Sequence, residues 1–139
     1  MNIRYPATLT PEAGGYVVQF VDMPDTFTEG DTLEEALFNA AEVLSGMLEC
    51  KLADGDPIPA PSAELNGEHI HYIAPDAKTQ SVLLLRQARG ARPLAELARA
   101  METSWPQAKR LEDPAHWPSL KTLDRAARVL GKRLVLSIE

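Results

Sequence analysis

Thr26-Phe27-Thr28-Glu29-Gly30-Asp31-Thr32-Leu33-Glu34-Glu35-Ala36 is the stretch whose reading decides the fold, because here the hydrophobic period changes from that of a strand to that of a helix. Thr26 to Glu29 is predicted as a short strand that Gly30 breaks. Thr32, followed three residues later by Glu35, forms a capping box: the hydroxyl accepts an exposed backbone N–H and the glutamate returns the bond. From there Leu33, Ala36, Leu37, Ala40, Leu44, Met47 and Leu48 recur at intervals of three and four. They draw one apolar stripe down a helix that runs to about Ala53 and would cover one face of a sheet.

That sheet is supplied from both sides of the helix. Upstream, Ile3, Tyr5, Ala7 and Leu9 alternate with polar neighbours at the period of a half-buried strand, although Pro6 suits only an edge or a strand end. Pro11 to Gly15 supplies turn residues, and Tyr16, Val18 and Phe20 resume the alternation, which predicts a β-hairpin. Asp22-Met23-Pro24-Asp25 reads as a second turn. Downstream, residues 54–67 carry Pro57, Pro59 and Pro61 with several Asp, Asn and Gly, a composition that forms a surface excursion. His69 to Ala74 then alternates once more as a fourth strand. The predicted order is β-β-β-α-β.

Beyond Pro75 the period becomes helical throughout. Val82 to Leu85 lead a helix that ends at Gly90, and Leu94, Leu97, Ala98 and Met101 mark the next after Pro93. Ser104, with Gln107 three residues on, caps a third helix that tolerates Pro106 in its first turn. Ser119 caps a fourth, which carries Leu120, Leu123, Ala127 and Leu130 and ends at Gly131. Leu134, Leu136 and Ile138 predict a last strand. The chain therefore reads as α+β, with residues 1–75 as one domain and 76–139 as a second, helical domain ending in a short strand.

Charge separates the same two halves. Residues 1–75 hold 13 Asp and Glu against Arg4 and Lys51, a balance of −11, whereas residues 76–139 hold 7 acids against 12 Lys and Arg, a balance of +5. Opposite signs suit different partners, a basic one for the first half and a polyanion for the second. No apolar run approaches the roughly 18 residues of a membrane span, and the N-terminus lacks the apolar stretch of a signal peptide, so the expected location is the cytoplasm. The one cysteine, Cys50, excludes an intrachain disulfide and reads as a small packing residue.

Enzyme chemistry finds little support. A two-metal nuclease needs several clustered carboxylates, and the first strand has none. Asp22, Asp25, Glu29 and Asp31 fall in turns and at the helix start. His69 and His71 make at most half of a zinc site without a third ligand, and read better as solvent-facing strand residues. The expectation is no catalytic residue, no metal and no cofactor.

Leu94 to Asp113 resembles the helix-turn-helix of Cro and repressor-type proteins. Ala98 stands where two helices must cross closely, and Leu97, Met101, Ala108 and Leu111 fall at that family's buried positions. Two departures are Ala108, where a branched aliphatic is usual, and Glu102, which occupies the turn position commonly held by glycine because φ there is positive. The resemblance implies that Trp105, Gln107, Lys109 and Arg110 face the DNA groove, with Arg92 and Ser104 as phosphate contacts. For Trp105, packing inside the domain is the alternative.

Tyr5-Pro6-Ala7, Gly15 to Phe20, Asp22-Met23-Pro24 and Phe27 to Ala36 together resemble the HicB antitoxin family over about the first 55 residues. The resemblance implies a degenerate ribonuclease-H-like fold for the first domain and a HicA-like RNase toxin as its partner, with Asp22, Asp25 and Glu29 as toxin contacts. It also implies that the second domain binds operator double-stranded DNA as a homodimer, with pairing of dimers into tetramers left open. The dimer is expected through Leu134, Leu136 and Ile138, which would pair with a symmetry mate or else add to the first domain's sheet. A stand-alone regulator with a small-molecule-sensing first domain is the rival.

Overall fold

The computed structural model describes residues 2–139. Among them are four strands, β1 (Tyr5–Glu12), β2 (Gly15–Phe20), β3 (Phe27–Gly30) and β4 (Ile70–Ile73), and five helices, α1 (Leu33–Asp54), α2 (Ala77–Arg89), α3 (Leu94–Ala100), α4 (Trp105–Arg110) and α5 (Leu120–Val129). The strands form one antiparallel sheet in the order β3-β2-β1-β4. The chain divides into two compact units after Thr79, within α2.

Cross-strand pairs fix the two faces of the sheet, because directly opposed residues point the same way. Ala7 pairs with Phe20, Leu9 with Val18 and Tyr5 with Ile73. These side chains are buried, as are Ala36, Ala40, Leu44 and Leu48 at helical spacing along α1. Each large apolar side chain so buried contributes roughly 1.5–3 kcal/mol. Gly30 lies inside β3, and a Cβ there would sit 2.5 Å from the Ala36 nitrogen. Its role is to let α1 approach the sheet rather than to break the strand. β1 is an inner strand, and Pro6 is tolerated near its start because the β1–β2 ladder stops at Ala7, next to it, while Val21 N–H donates to the Pro6 carbonyl at 3.0 Å.

Local chemistry sets the ends of α1. Thr32 Oγ1 accepts the Glu35 N–H at 3.1 Å, and Glu35 Oε2 accepts from the Asp31 N–H at 3.3 Å, one residue before the cap. At the far end Gly55 adopts φ 73° while Asp56 N–H donates to Lys51 O and Gly55 N–H to Leu52 O. This is the Schellman arrangement. The first turn of α2 is fastened to α1, with Asp76 N–H donating to Ser45 Oγ at 2.8 Å and Lys78 Nζ lying 3.6 Å from Glu49.

In the second unit Leu85, Leu97, Met101, Leu111, Ala126 and Leu130 form the core, with Leu94 and Leu123 packed against it. Arg89 clamps it from outside: Nε and Nη2 donate to the two carboxylate oxygens of Glu112 at 2.7 and 2.8 Å. This bidentate pair raises the Arg89 pKa, chiefly through that hydrogen bond.

Some sequence expectations are corrected. Residues 132–139 form no strand in the single chain: a strand exists only in a ladder, and this segment pairs with none of the described strands. Leu136 and Ile138 are exposed and Leu134 is half-buried. Leu120, read as apolar lining of α5, is exposed, and so is Cys50. His71 is half-buried with its Nδ1 enclosed rather than facing solvent.

Candidate functional site

Two regions carry the residues singled out by sequence. The first is the loop between β2 and β3, built around Gln19. Its Nε2 amide lies within hydrogen-bond reach of the carbonyls of Phe20, Met23, Pro24 and Thr26, at 3.0–3.3 Å. Two N–H groups shared among four acceptors gather the loop backbone around one side chain. Met23 and Thr26 are buried beneath it.

Asp22 faces inward from this loop. Its carboxylate accepts both the N–H of Ser62, at 2.8 Å, and the Ser62 hydroxyl. That bond ties the proline-rich excursion to the sheet, helped by Tyr72 Oη, which donates to Ser62 O and accepts the Leu65 N–H. Tyr5 Oη donates to Pro59 O at 2.7 Å, and burial, reinforced by Asp22, pushes its pKa up to about 12. The carboxylate of Asp22 is thus a scaffold group rather than a free contact. Asp25 is exposed and lies 3.5 Å from Lys51. Glu29 stands exposed on β3, while Asn39 Nδ2 donates to its carbonyl at 2.9 Å. Gln19 and Ser62, which organise this region, were not singled out by sequence; isolated polar residues in a strand and a loop carry no pattern.

The second region is α3, the turn after it and α4. Leu97, Ala98, Met101, Ala108 and Leu111 are all buried, with one small residue, Ala98 on α3 and Ala108 on α4, among those of each short helix. The turn is made by Glu102 at φ 53°. Thr103 N–H donates to Ala98 O and Glu102 N–H to Arg99 O, the same Schellman closure that glycine provides at Gly55. Ser104 Oγ then caps α4 by accepting the Gln107 N–H at 3.3 Å.

With Ala108 and Leu111 turned inward, Ser104, Trp105, Gln107, Lys109 and Arg110 share exposure on α4 and its cap. Trp105 is 47% exposed and does not pack into the core. Lys109 Nζ sits 5.1 Å from its ring centroid, an i,i+4 cation–π contact that holds both side chains on the outer face. Arg92 is placed differently. Its guanidinium donates to the carbonyls of Ala88, Arg89 and Leu130, which leaves it capping the ends of α2 and α5.

No group of three or more metal-ligating side chains occurs among the described residues, and none of their helices is long and apolar enough to cross a membrane. Residues 4–74 match the family model described as HicB_like antitoxin of bacterial toxin-antitoxin system. This defines the class: an antitoxin, not an enzyme.

The whole chain agrees. It is similar to Antitoxin HicB 1 of Photorhabdus laumondii, 35% identical over 140 residues, covering 99% of this chain and 88% of the relative. It is also similar to Antitoxin HicB of Escherichia coli K12, 36% identical over 137 residues, covering 96% of this chain and 98% of the relative. Antitoxin HicB of Pseudomonas fluorescens is 29% identical over 137 residues, covering 98% of this chain and 94% of the relative. The chain belongs to the HicB antitoxin family.

Proposed function

We propose that the first unit neutralises a HicA-like mRNA-cleaving toxin and that the second represses the chain's own operon by binding operator DNA. The order β-β-β-α-β fits a degenerate ribonuclease-H-like domain, adapted here to cover a basic partner rather than to cut RNA. The acidic balance of residues 1–75 favours a protein that itself binds RNA. Neutralisation is then steric and electrostatic, with no cofactor.

In the second unit the α3–α4 pair acts as a helix-turn-helix. The carrying observation is the exposed row Trp105, Gln107, Lys109 and Arg110 above buried Ala108 and Leu111. Lys109 and Arg110 meet base edges or phosphates in the major groove, and Ser104 meets a phosphate at the helix start. Arg92 serves by holding the helix ends. The apolar tail at Leu134, Leu136 and Ile138 pairs with its symmetry mate, so that two recognition helices address a palindromic site.

The test separates the two activities. Lys109→Ala combined with Arg110→Ala is expected to weaken operator binding by several kcal/mol, each good bidentate base contact being worth about 1–3 kcal/mol, while toxin inhibition stays intact. Unchanged operator affinity in a gel-shift titration at fixed salt would remove α4 as the reader.

A further inference from the structure

The sheet has a second face, opposite α1, and only half of it is covered. Pairing places Pro6 with Tyr72 and Thr8 with Ile70 on this face, and Gln19 with Phe27 and Val17 with Glu29. The β1–β4 half lies under the proline-rich excursion: Tyr72 is hydrogen-bonded to Ser62 and Leu65, and Pro6 is fully buried. The β2–β3 half is open. There Phe27 is 62% exposed and Val17 38%, diagonal neighbours across the strand pair, and Val21 continues their alternation at 42%.

An antiparallel sheet usually turns polar residues to water on its free face. Here the open half centres on Phe and Val instead, bracketed by Glu29 on β3 and Glu12 on β1, both exposed. Among the described strand residues of this face none is Lys or Arg. Scattered exposed apolar residues need no explanation, but adjacent ones ringed by a single sign of charge are the form of a docking site.

We propose that the toxin docks on this open half-face, with Phe27 and Val17 as the apolar anchor and Glu29 and Glu12 pairing with cations of a basic partner. The inference rests on the toxin-binding reading of the first unit. Charge complementarity selects the occupant. Nucleic acid would be repelled by the acidic unit, and a second copy docking face to face would bring carboxylate against carboxylate around a twofold axis. The face also revises the contacts expected from sequence: Glu29 belongs to it, whereas the Asp22 carboxylate is turned to Ser62.

The test uses the full chain and the HicA-like toxin proposed as its partner, carrying a substitution that abolishes RNA cleavage so that the two can be purified separately. Phe27→Lys and Val17→Lys are each expected to weaken binding by calorimetry at least about thirtyfold, as loss of a central anchor does. Glu29→Lys should weaken it and flatten its salt dependence. Glu34→Lys on α1, outside this face, should change it less than about threefold. Circular dichroism and the unfolding midpoint identify variants that remain folded, and Phe27→Ala gives the same comparison without an added charge. Folded Phe27 and Val17 variants that bind like wild type would overturn the docking face alone, as would a Phe27→Lys chain that loses self-association but keeps toxin affinity. Failure of the wild-type chain to bind would overturn the toxin reading, and the docking face with it.

Discussion

Gly30 of β3 and Ala36 of α1 meet backbone to backbone: a Cβ on Gly30 would stand 2.5 Å from the Ala36 nitrogen and 2.7 Å from its Cα. The clash would be with backbone, which cannot rotate aside. This contact sets the height of α1 above the sheet, and with it the burial of Ala40, Leu44 and Leu48.

Gly30→Ala should therefore destabilise the first unit by about 1–3 kcal/mol, the usual cost of overpacking. Gly46 provides the contrast, because it lies exposed within α1 and a methyl group added there would meet nothing within 4 Å. Gly46→Ala should stabilise by about 0.5–1 kcal/mol through helix propensity. Urea unfolding of the full chain checks both; equal effects of the two substitutions would contradict the close approach.

Glu102 holds a left-handed backbone, φ 53°, where α1 and α5 end on Gly55 at 73° and Gly131 at 76°. Its ion pair with Arg125, at 3.8 Å between exposed side chains, offsets little of that strain. Glu102→Gly is expected to stabilise the second unit by about 1 kcal/mol, seen as a higher thermal midpoint, whereas Glu102→Ala keeps the strain and gains nothing. A lower midpoint for the glycine variant would show that the ion pair outweighs the backbone.

The tail from Lys132 onward presents exposed Val135, Leu136 and Ile138 without a strand partner among the described residues. Truncation after Gly131 is expected to give a monomer by light scattering, with weaker operator affinity and unchanged toxin binding. A truncated chain that stays dimeric would place the dimer elsewhere.

Much of the architecture is legible in the sequence because local chemistry and periodicity agree. The Thr32 cap, the stripe from Ala36 to Leu48 and the Ser104 and Ser119 caps all reappear in the structure. What is not legible depends on the third dimension. Asp22 reads as a surface acid in a turn, and only the folded excursion reveals Ser62 opposite it, 40 positions away. Arg92 reads as a free cation until the ends of α2 and α5 converge on it. Val17 and Phe27 look like ordinary strand residues, since alternation names two faces but does not say which half a distant loop will cover. The C-terminal strand fails for a related reason: alternation gives the capacity to pair, and the ladder requires a neighbour.

Whether this chain silences an RNA-cleaving toxin by covering it is read directly from RNA cleavage by the HicA-like toxin titrated with the full chain. Cleavage is expected to fall in proportion to added antitoxin and to cease near stoichiometric equivalence, without any metal or cofactor and equally with the Lys109→Ala, Arg110→Ala variant. Cleavage that continues undiminished in excess antitoxin would contradict it.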